Sequence, residues 1–236
     1  ERRPPEPKVV GSSPAARTLF LPRDILRPVH SPPDDRRIIV DTRATGVARL
    51  KNQAVVLGGA LAVFWAVFVV DLLLGGSLLS LGVIPRTMTG LRGILFAPFL
   101  HVSLSHIVAN SIPFVALGWM VMLRDDRHFI PVTLAGMLGS GLTAWLLGAA
   151  GSVHIGASGV IFGYLGFLML SGWYTRSFMS MLLSVAVTLV WGTLILGMMP
   201  GTPGVSWQAH IGGFLGGALA ARAFRTSRHG QVGPLR

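Results

Sequence analysis

The sequence contains no cysteine. A disulfide framework, a thiolate metal site and a cysteine nucleophile are therefore excluded. Charge is scarce as well. Asp, Glu, Lys and Arg make up 12% of the residues, against about 25% in soluble domains. With 51% of the residues hydrophobic and a mean hydropathy of +0.63, lipid is the solvent this balance fits. No Glu, Lys or Arg falls in the middle of an apolar run, and Asp71 lies near the end of one. That removes the polar relay a proton-coupled transporter or an ion channel needs. A small enclosed hydrolytic site remains compatible.

What the chain has in excess is positive charge, with 20 Lys+Arg against 9 Asp+Glu and a net charge of +11. A strongly basic protein raises the question of nucleic acid. Here the arginines sit in tails and short loops between apolar runs, which is a pattern of membrane topology. The expected partners are the lipid bilayer and membrane proteins, and no nucleic acid.

Residues 1–53 read as a disordered, basic, Pro-rich cytoplasmic tail, because closely spaced prolines break any helix and no apolar period appears. Within it, Arg36 to Val40 leaves a brief strand or a lipid-surface contact open. No secretory leader is expected, since the first apolar run begins late. That run, Ala54 to Leu74, is long enough to span a bilayer. Asp71 near its far end reads as an interfacial residue.

Residues 75–100, interrupted by Gly and Pro, read as a re-entrant or interfacial loop 1. A second span follows from Ser103 to Leu123, closed by Arg124-Asp125-Asp126-Arg127. A third covers Phe129 to Ala150, with Gly136, Gly139 and Gly141 as a close-packing face. The fourth, Ala157 to about Ser171, is short and fits a start below the membrane surface. The fifth covers Phe178 to Met199, and the sixth Trp207 to about Phe224. The expectation is an all-α membrane protein: six spans within residues 54–224, then a basic cytoplasmic tail at 225–236.

Arginine and lysine set the orientation. They precede span one, separate spans two and three and spans four and five, and follow span six. Loops three–four and five–six carry none, and loop one carries only Arg86 and Arg92. Both ends are thus expected in the cytoplasm, with Ser158 entering its helix from the outer face.

Few groups inside the spans can do chemistry. They are His106 and the amide Asn110 in span two, Ser158 at the start of span four, and His210 near the start of span six. A serine nucleophile needs a base within about 2.6–3.2 Å, so spans four and six must touch. Gly159 and Gly163 repeat at i, i+4 on one, Gly213 and Gly217 on the other, joined by Gly212 and Gly216. Glycine faces permit such approach. Gly213 lies three residues after His210 and is expected at the contact, with Gly139 away from it. Ordinary packing explains the same glycines without any chemistry.

The segment His101 to Asn110 resembles the His-x4-His-x3-Asn signature of rhomboid intramembrane serine proteases. Gly156-Ala157-Ser158-Gly159 resembles that family's Gly-x-Ser-Gly motif, and Ala209-His210-x2-Gly213-x3-Gly217 its last one. All three occur in order on spans two, four and six, and the resemblance covers residues 54–224. It implies a six-helix rhomboid-like bundle and a serine endopeptidase acting on transmembrane protein substrates, in a bacterial plasma membrane, without a cofactor or metal. Ser158 would be the nucleophile and His210 the base. Asn110, His106 and the Ser158 N–H would form the oxyanion site. Gly156 and Gly159 would admit the substrate backbone, and His101 would brace loop 1.

Two positions depart from the family pattern. Arg92-Gly93 stands where many members have Trp-Arg, and Phe162 where a tyrosine commonly stacks on the catalytic histidine. The phenyl ring keeps the stack. His30, His128, His154 and His229 fall in tails or loops and read as solvated. The competing reading is a catalytically silent rhomboid-fold protein that binds membrane clients. Such relatives usually lack the serine or the histidine. Oligomeric state and the natural substrate are not legible in the sequence.

Overall fold

The structure, a computed structural model, describes the backbone of residues 35–229 and the side chains of residues 46–225. The chain clusters into two units, Glu1–Ala44 and Thr45–Arg236. The first lies almost wholly outside the described residues, and the fold below is that of the second.

Seven α-helices follow one another among the described residues, joined by turns and 3-10 segments. They are α1 (Asp35–Leu73), the single turn α2 (Gly93–Phe96), α3 (Leu104–Arg124), α4 (Phe129–Leu147), α5 (Ser158–Thr175), α6 (Phe178–Trp191) and α7 (Trp207–His229). Among the described residues there is no named strand, only an isolated bridge between Val83 and His154. Four stretches of the described residues are long and apolar enough to cross a membrane: Gly46–Leu73, Leu104–Arg124, Asp126–Leu147 and Phe178–Met198. Their outward faces carry large apolar side chains such as Leu72, Ile112, Leu138 and Leu189, the surface lipid requires.

Helix α5 is the hub. It packs against α3, α4, α6 and α7. Every residue from Gly159 to Leu168 is buried, as befits a helix apolar on all sides. Its Tyr164 hydroxyl is 2.7 Å from Thr133 Oγ1 on α4, which satisfies its polar atom. Glycines set the spacing of α5, α7 and α4. A Cβ on Gly213 would collide with the Gly159 carbonyl, and one on Gly217 with the Gly163 carbonyl. Gly163 in turn faces Gly136 on α4.

Gly139, expected to lie away from α7, faces the Gly212 carbonyl and Gly216. That expectation is corrected. Helix α7 lies in the groove between α4 and α5, so both neighbours need small residues towards it.

The reading of residues 1–53 as a disordered tail is also corrected in part. Residues 35–53 are helical and continue into α1, and the strand reading of Arg36 to Val40 falls with it. No proline follows Pro33 until Pro85, so nothing interrupts the helix. Residues 1–34 and 230–236, where the remaining tail expectations fall, lie outside the described residues. Helix α7 likewise runs five residues beyond Phe224, to His229.

The part of α1 once assigned to the tail is anchored. Buried Gln53 donates to Asp126 Oδ1 at 2.6 Å and accepts from Trp119 Nε1 at 2.9 Å. Arg49 reaches Asp126 Oδ2 at 2.7 Å and the Met122 carbonyl at 2.8 Å. This network joins α1 to the α3–α4 turn. Asp71 is buried, and its carboxylate accepts from the Leu78 N–H at 2.8 Å. It closes the turn after α1.

Between α1 and α3 the chain folds into 3-10 segments and α2, packed against α4. Gly93 abuts the backbone of Gly82 and Val83, and Gly141 of α4 abuts Ile94. Arg86, at φ +56°, donates to the Leu146 and Gly148 carbonyls at 3.0 and 2.8 Å, and so covers the end of α4.

Candidate active site

Ser158 is the first residue of α5, and the preceding turn is bent by Gly156 at φ +110°. Only glycine adopts that backbone freely. Space demands it as well, since a Cβ there would lie 2.7 Å from His106 Nε2 and 3.5 Å from Asn110 Nδ2. The Gly156 N–H is held by the Ala97 carbonyl at 2.8 Å, which ties the turn to the α1–α3 connection.

Across the α5–α7 contact, His210 Nε2 lies 2.9 Å from Ser158 Oγ. The other ring nitrogen, Nδ1, lies 2.8 Å from the Gly197 carbonyl oxygen. A carbonyl only accepts, so Nδ1 carries the proton and Nε2 presents its lone pair to the serine. The tautomer is thereby fixed without a carboxylate. The ring is clamped from one side by Phe162, with centroids 4.1 Å apart and planes 14° from parallel.

The Gly197 carbonyl is available for a local reason. Helix α6 gives way at Gly192 to a 3-10 segment ending at Met198. In such a segment Gly197 would bond the N–H three residues on, but that residue is Pro200 and has none. The expected span from Phe178 to Met199 does not show this change of helix type.

A cavity of about 950 Å³ opens beside the pair, lined by His106, Asn110, Ser158, Phe162, Gly197 and His210. Asn110 is buried, and its Nδ2 has no hydrogen-bond partner among the described residues. Buried donors without partners are rare and call for an explanation. His101 lies behind His106, edge-on at 5.1 Å, with Phe64 of α1 on its other side at 5.8 Å. It is a buried wedge between α1 and the cavity wall. Gly159 faces Ser140 on α4 and Ala209 on α7 rather than the cavity. It is a packing glycine, like Gly163, Gly213 and Gly217.

Two histidines read as solvated are not. His128 stacks on Phe224 at 4.3 Å. His154 is half-buried, and burial lowers its pKa below the ordinary histidine value. Its Nε2 lies 2.9 Å from Ser152 Oγ, and its Nδ1 lies 2.7 Å from Ser206 Oγ. The Ser152 hydroxyl spends its proton on the Ala149 carbonyl at 2.7 Å, so Nε2 donates to Ser152 and Nδ1 accepts from Ser206. Ser206 Oγ also accepts from the Ala209 N–H at 3.4 Å, as the N-cap of α7. His154 thus fixes the entry to the helix that bears His210. Sequence reasoning missed His154, Ser206 and Gly197. The serine directly before Trp207 was the readable signal for the cap.

Among the described residues no group of three His, Asp or Glu is arranged to hold a metal ion. What the helices bring together is a hydrogen-bonded hydroxyl–imidazole pair. A bundle of membrane-crossing helices built around it defines the class, a helical membrane protein with an enclosed serine–histidine site.

The chain belongs to the rhomboid family: the family model for the rhomboid domain matches residues 88–227. An uncharacterized protein of Mycobacterium tuberculosis is 37% identical over 199 residues, covering 76% of this chain and 83% of its own. A protein of Mycobacterium bovis, also uncharacterized, matches to the same extent. One of Mycobacterium leprae is 37% identical over 169 residues, covering 68% of this chain and 67% of its own.

Proposed function

We propose that this protein is an intramembrane serine endopeptidase that hydrolyses peptide bonds in or near the transmembrane helices of membrane-protein substrates. The observation that carries the reading is the 2.9 Å contact between Ser158 Oγ and an imidazole nitrogen whose partner nitrogen is protonated and held. Family membership supports the reaction class.

In this reading Ser158 Oγ attacks the scissile carbonyl while His210 Nε2 takes its proton. The carbonyl oxygen becomes an oxyanion. Asn110 Nδ2, His106 Nε2 and the Ser158 N–H serve it, the last being one of the helix-start donors that lack an intrahelical partner. The positive end of α5 adds to the field there. The imidazolium then gives its proton to the leaving amine. Water, deprotonated by the same nitrogen, hydrolyses the acyl-enzyme. An unpartnered Asn110 Nδ2 suits a donor that is preorganised for charge appearing only during reaction.

The architecture proposed is six spans, with α5 and α7 added to the four long apolar stretches. Helix α5 is shorter because its serine starts below the surface, and α7 carries Gln208 and His210 in its first turn. Loop 1, residues 75–100, is an interfacial element in this reading. The positive-inside bias supports a cytoplasmic side for the helix ends near Arg124, Arg176 and Arg222, with the site opening to the outer face; the bacterial plasma membrane is what the family resemblance implies. The family resemblance further implies cut sites with small residues in helices that unwind easily.

The test is labelling of purified full-length protein with a fluorophosphonate probe, beside Ser158→Ala. Covalent labelling of the parent alone is expected. Failure of the folded parent to label would leave the silent, client-binding reading in its place.

A further inference from the structure

The pairing of Ser158 with His210 occurs a second time, one step upstream, with the residue types exchanged. His154 lies four residues before Ser158, and Ser206 lies four residues before His210. His154 Nδ1 and Ser206 Oγ are 2.7 Å apart, against 2.9 Å for His210 Nε2 and Ser158 Oγ. Two imidazole–hydroxyl rungs therefore join the chain entering α5 to the chain entering α7. Ser206 is no second nucleophile, because its oxygen is committed to the Ala209 N–H at 3.4 Å as the α7 cap.

The two sides of the upstream rung are not equally anchored. His154 is fixed. Its N–H and its carbonyl both pair with Val83, each at 2.9 Å. Its ring lies where a Cβ on Gly148 would collide with it, and Nε2 is held by Ser152 at 2.9 Å. The Ser206 side has less behind it. Residues 199–204, which lead into α7, are all exposed, and a Cβ on Gly201 or Gly204 would meet nothing within 4 Å. The glycine contacts along α7 set its distance from α5. Its position along its own axis is set at its start, by His154 on Ser206 and by Gln208 Nε2 on the Leu147 carbonyl at 3.3 Å.

We propose that His154 is a positioning residue for the chemistry at Ser158. Through Ser206 it places the first turn of α7, and so sets the His210 imidazole against the serine. The Ser206 carbonyl accepts from the His210 N–H at 3.1 Å, which carries that placement to the base within one turn. The inference rests on the proposed reaction at Ser158. His154 also lines the cavity beside Ser158, so kinetics must tell placement from contact with substrate.

Asparagine sets its side-chain amide where Nδ1 lies, and glutamine sets it where Nε2 lies. His154→Asn can still accept from Ser206, whereas His154→Gln keeps only the side towards Ser152. Cleavage of a model membrane substrate, per mole of inserted protein, compares both with the parent. His154→Gln should lower kcat on the order of tenfold with KM unchanged, less than the ~10²-fold that misplacement by about 1 Å costs. His154→Asn should restore most of that loss. Adding His154→Gln to Ser206→Ala should cost nothing more, as for residues that act through one contact. A raised KM with unchanged kcat would make His154 a substrate contact and overturn the proposal. Equal loss in both His154 variants, or losses that multiply with Ser206→Ala, would overturn it too.

Nitrogen-15 NMR of ring-labelled histidines gives a readout that needs no turnover. The His210 Nε2 signal, identified by its absence in His210→Ala, should shift in His154→Gln and hold in His154→Asn. An unmoved signal in His154→Gln would overturn the inference even where the parent cleaves. With a parent that neither cleaves nor labels, the shift would support the placement while the proposed reaction falls.

Discussion

Gly213 of α7 lies against the carbonyl of Gly159 on α5, with no room for a Cβ between them. Gly159 follows Ser158 directly, and Gly213 is three residues beyond His210. The contact that brings the two backbones together therefore sets the serine–imidazole distance. In Gly213→Val the helices must separate, and misplacement of about 1 Å costs on the order of 10²-fold in rate. Cleavage and fluorophosphonate labelling should both be lost while the protein still inserts. Gly139 is no control, since it also meets α7. Gly59, with open space around it, is the proper one, and Gly59→Val should label like the parent. Parental labelling by Gly213→Val would show that this contact does not set the geometry.

Ser158→Ala and His210→Ala should each abolish cleavage of a model membrane substrate. Their combination should be no worse than either alone, as for groups that act as a unit. The comparison is turnover by the three variants at equal amounts of inserted protein. Robust cleavage by Ser158→Ala would remove this serine from the chemistry.

Only neutral His210 can accept the serine proton, and an ordinary imidazole has a pKa of about 6.5. Protonation fills Nε2, so kcat/KM should fall as pH drops through the pKa of the free-enzyme histidine. Rates measured from pH 5 to 8 on protein shown by circular dichroism to stay folded would test this. A flat profile would exclude histidine as the base.

Asn110→Ala removes a buried donor that has no partner among the described residues. Little stability should be lost. The catalytic rate should drop by ~10²-fold, as for one oxyanion donor. Serine labelling should weaken yet persist. Normal turnover in this variant would make the amide structural.

Ser206→Ala removes the α7 cap and the hydroxyl that donates to His154 Nδ1. A lost cap costs about 1 kcal/mol, so a lower midpoint of thermal unfolding in detergent is expected. A rate loss smaller than that of His210→Ala should accompany it. An unchanged midpoint would mean that the cap contributes nothing to α7.

Much of this was legible because membrane helices advertise themselves through length, apolarity and flanking arginines. The helix starts at Ser158 and Trp207, and the glycine faces on α5 and α7, follow from residue types at fixed spacing. What escaped reading depends on groups that leave no side-chain trace or act at a distance. The Gly197 carbonyl is backbone, exposed by a proline three residues later. His154 sits in a loop, and its solvated reading fails because Ser152 and Ser206 converge on it from two loops. Gly139 was misjudged because one glycine face says that a neighbour is close without naming which. The start of α1 was missed because residues 35–53 are polar, and Gln53 is buried only through Asp126 and Trp119 across the bundle.

Holding His210 with the Gly197 carbonyl, where a carboxylate would also have served, has an electrical consequence. A charge displaced across a bilayer couples to the membrane potential by about 2.3 kcal/mol per 100 mV. The site holds the imidazoles of His210 and His106, a hydroxyl, an amide and a carbonyl, with no carboxylate, Lys or Arg in the cavity lining, so with its imidazoles neutral it carries no fixed charge for the potential to act on. In the proposed mechanism the imidazolium and oxyanion arise side by side and cancel at a distance. On that mechanism, cleavage should therefore run at the same rate in energised and de-energised vesicles.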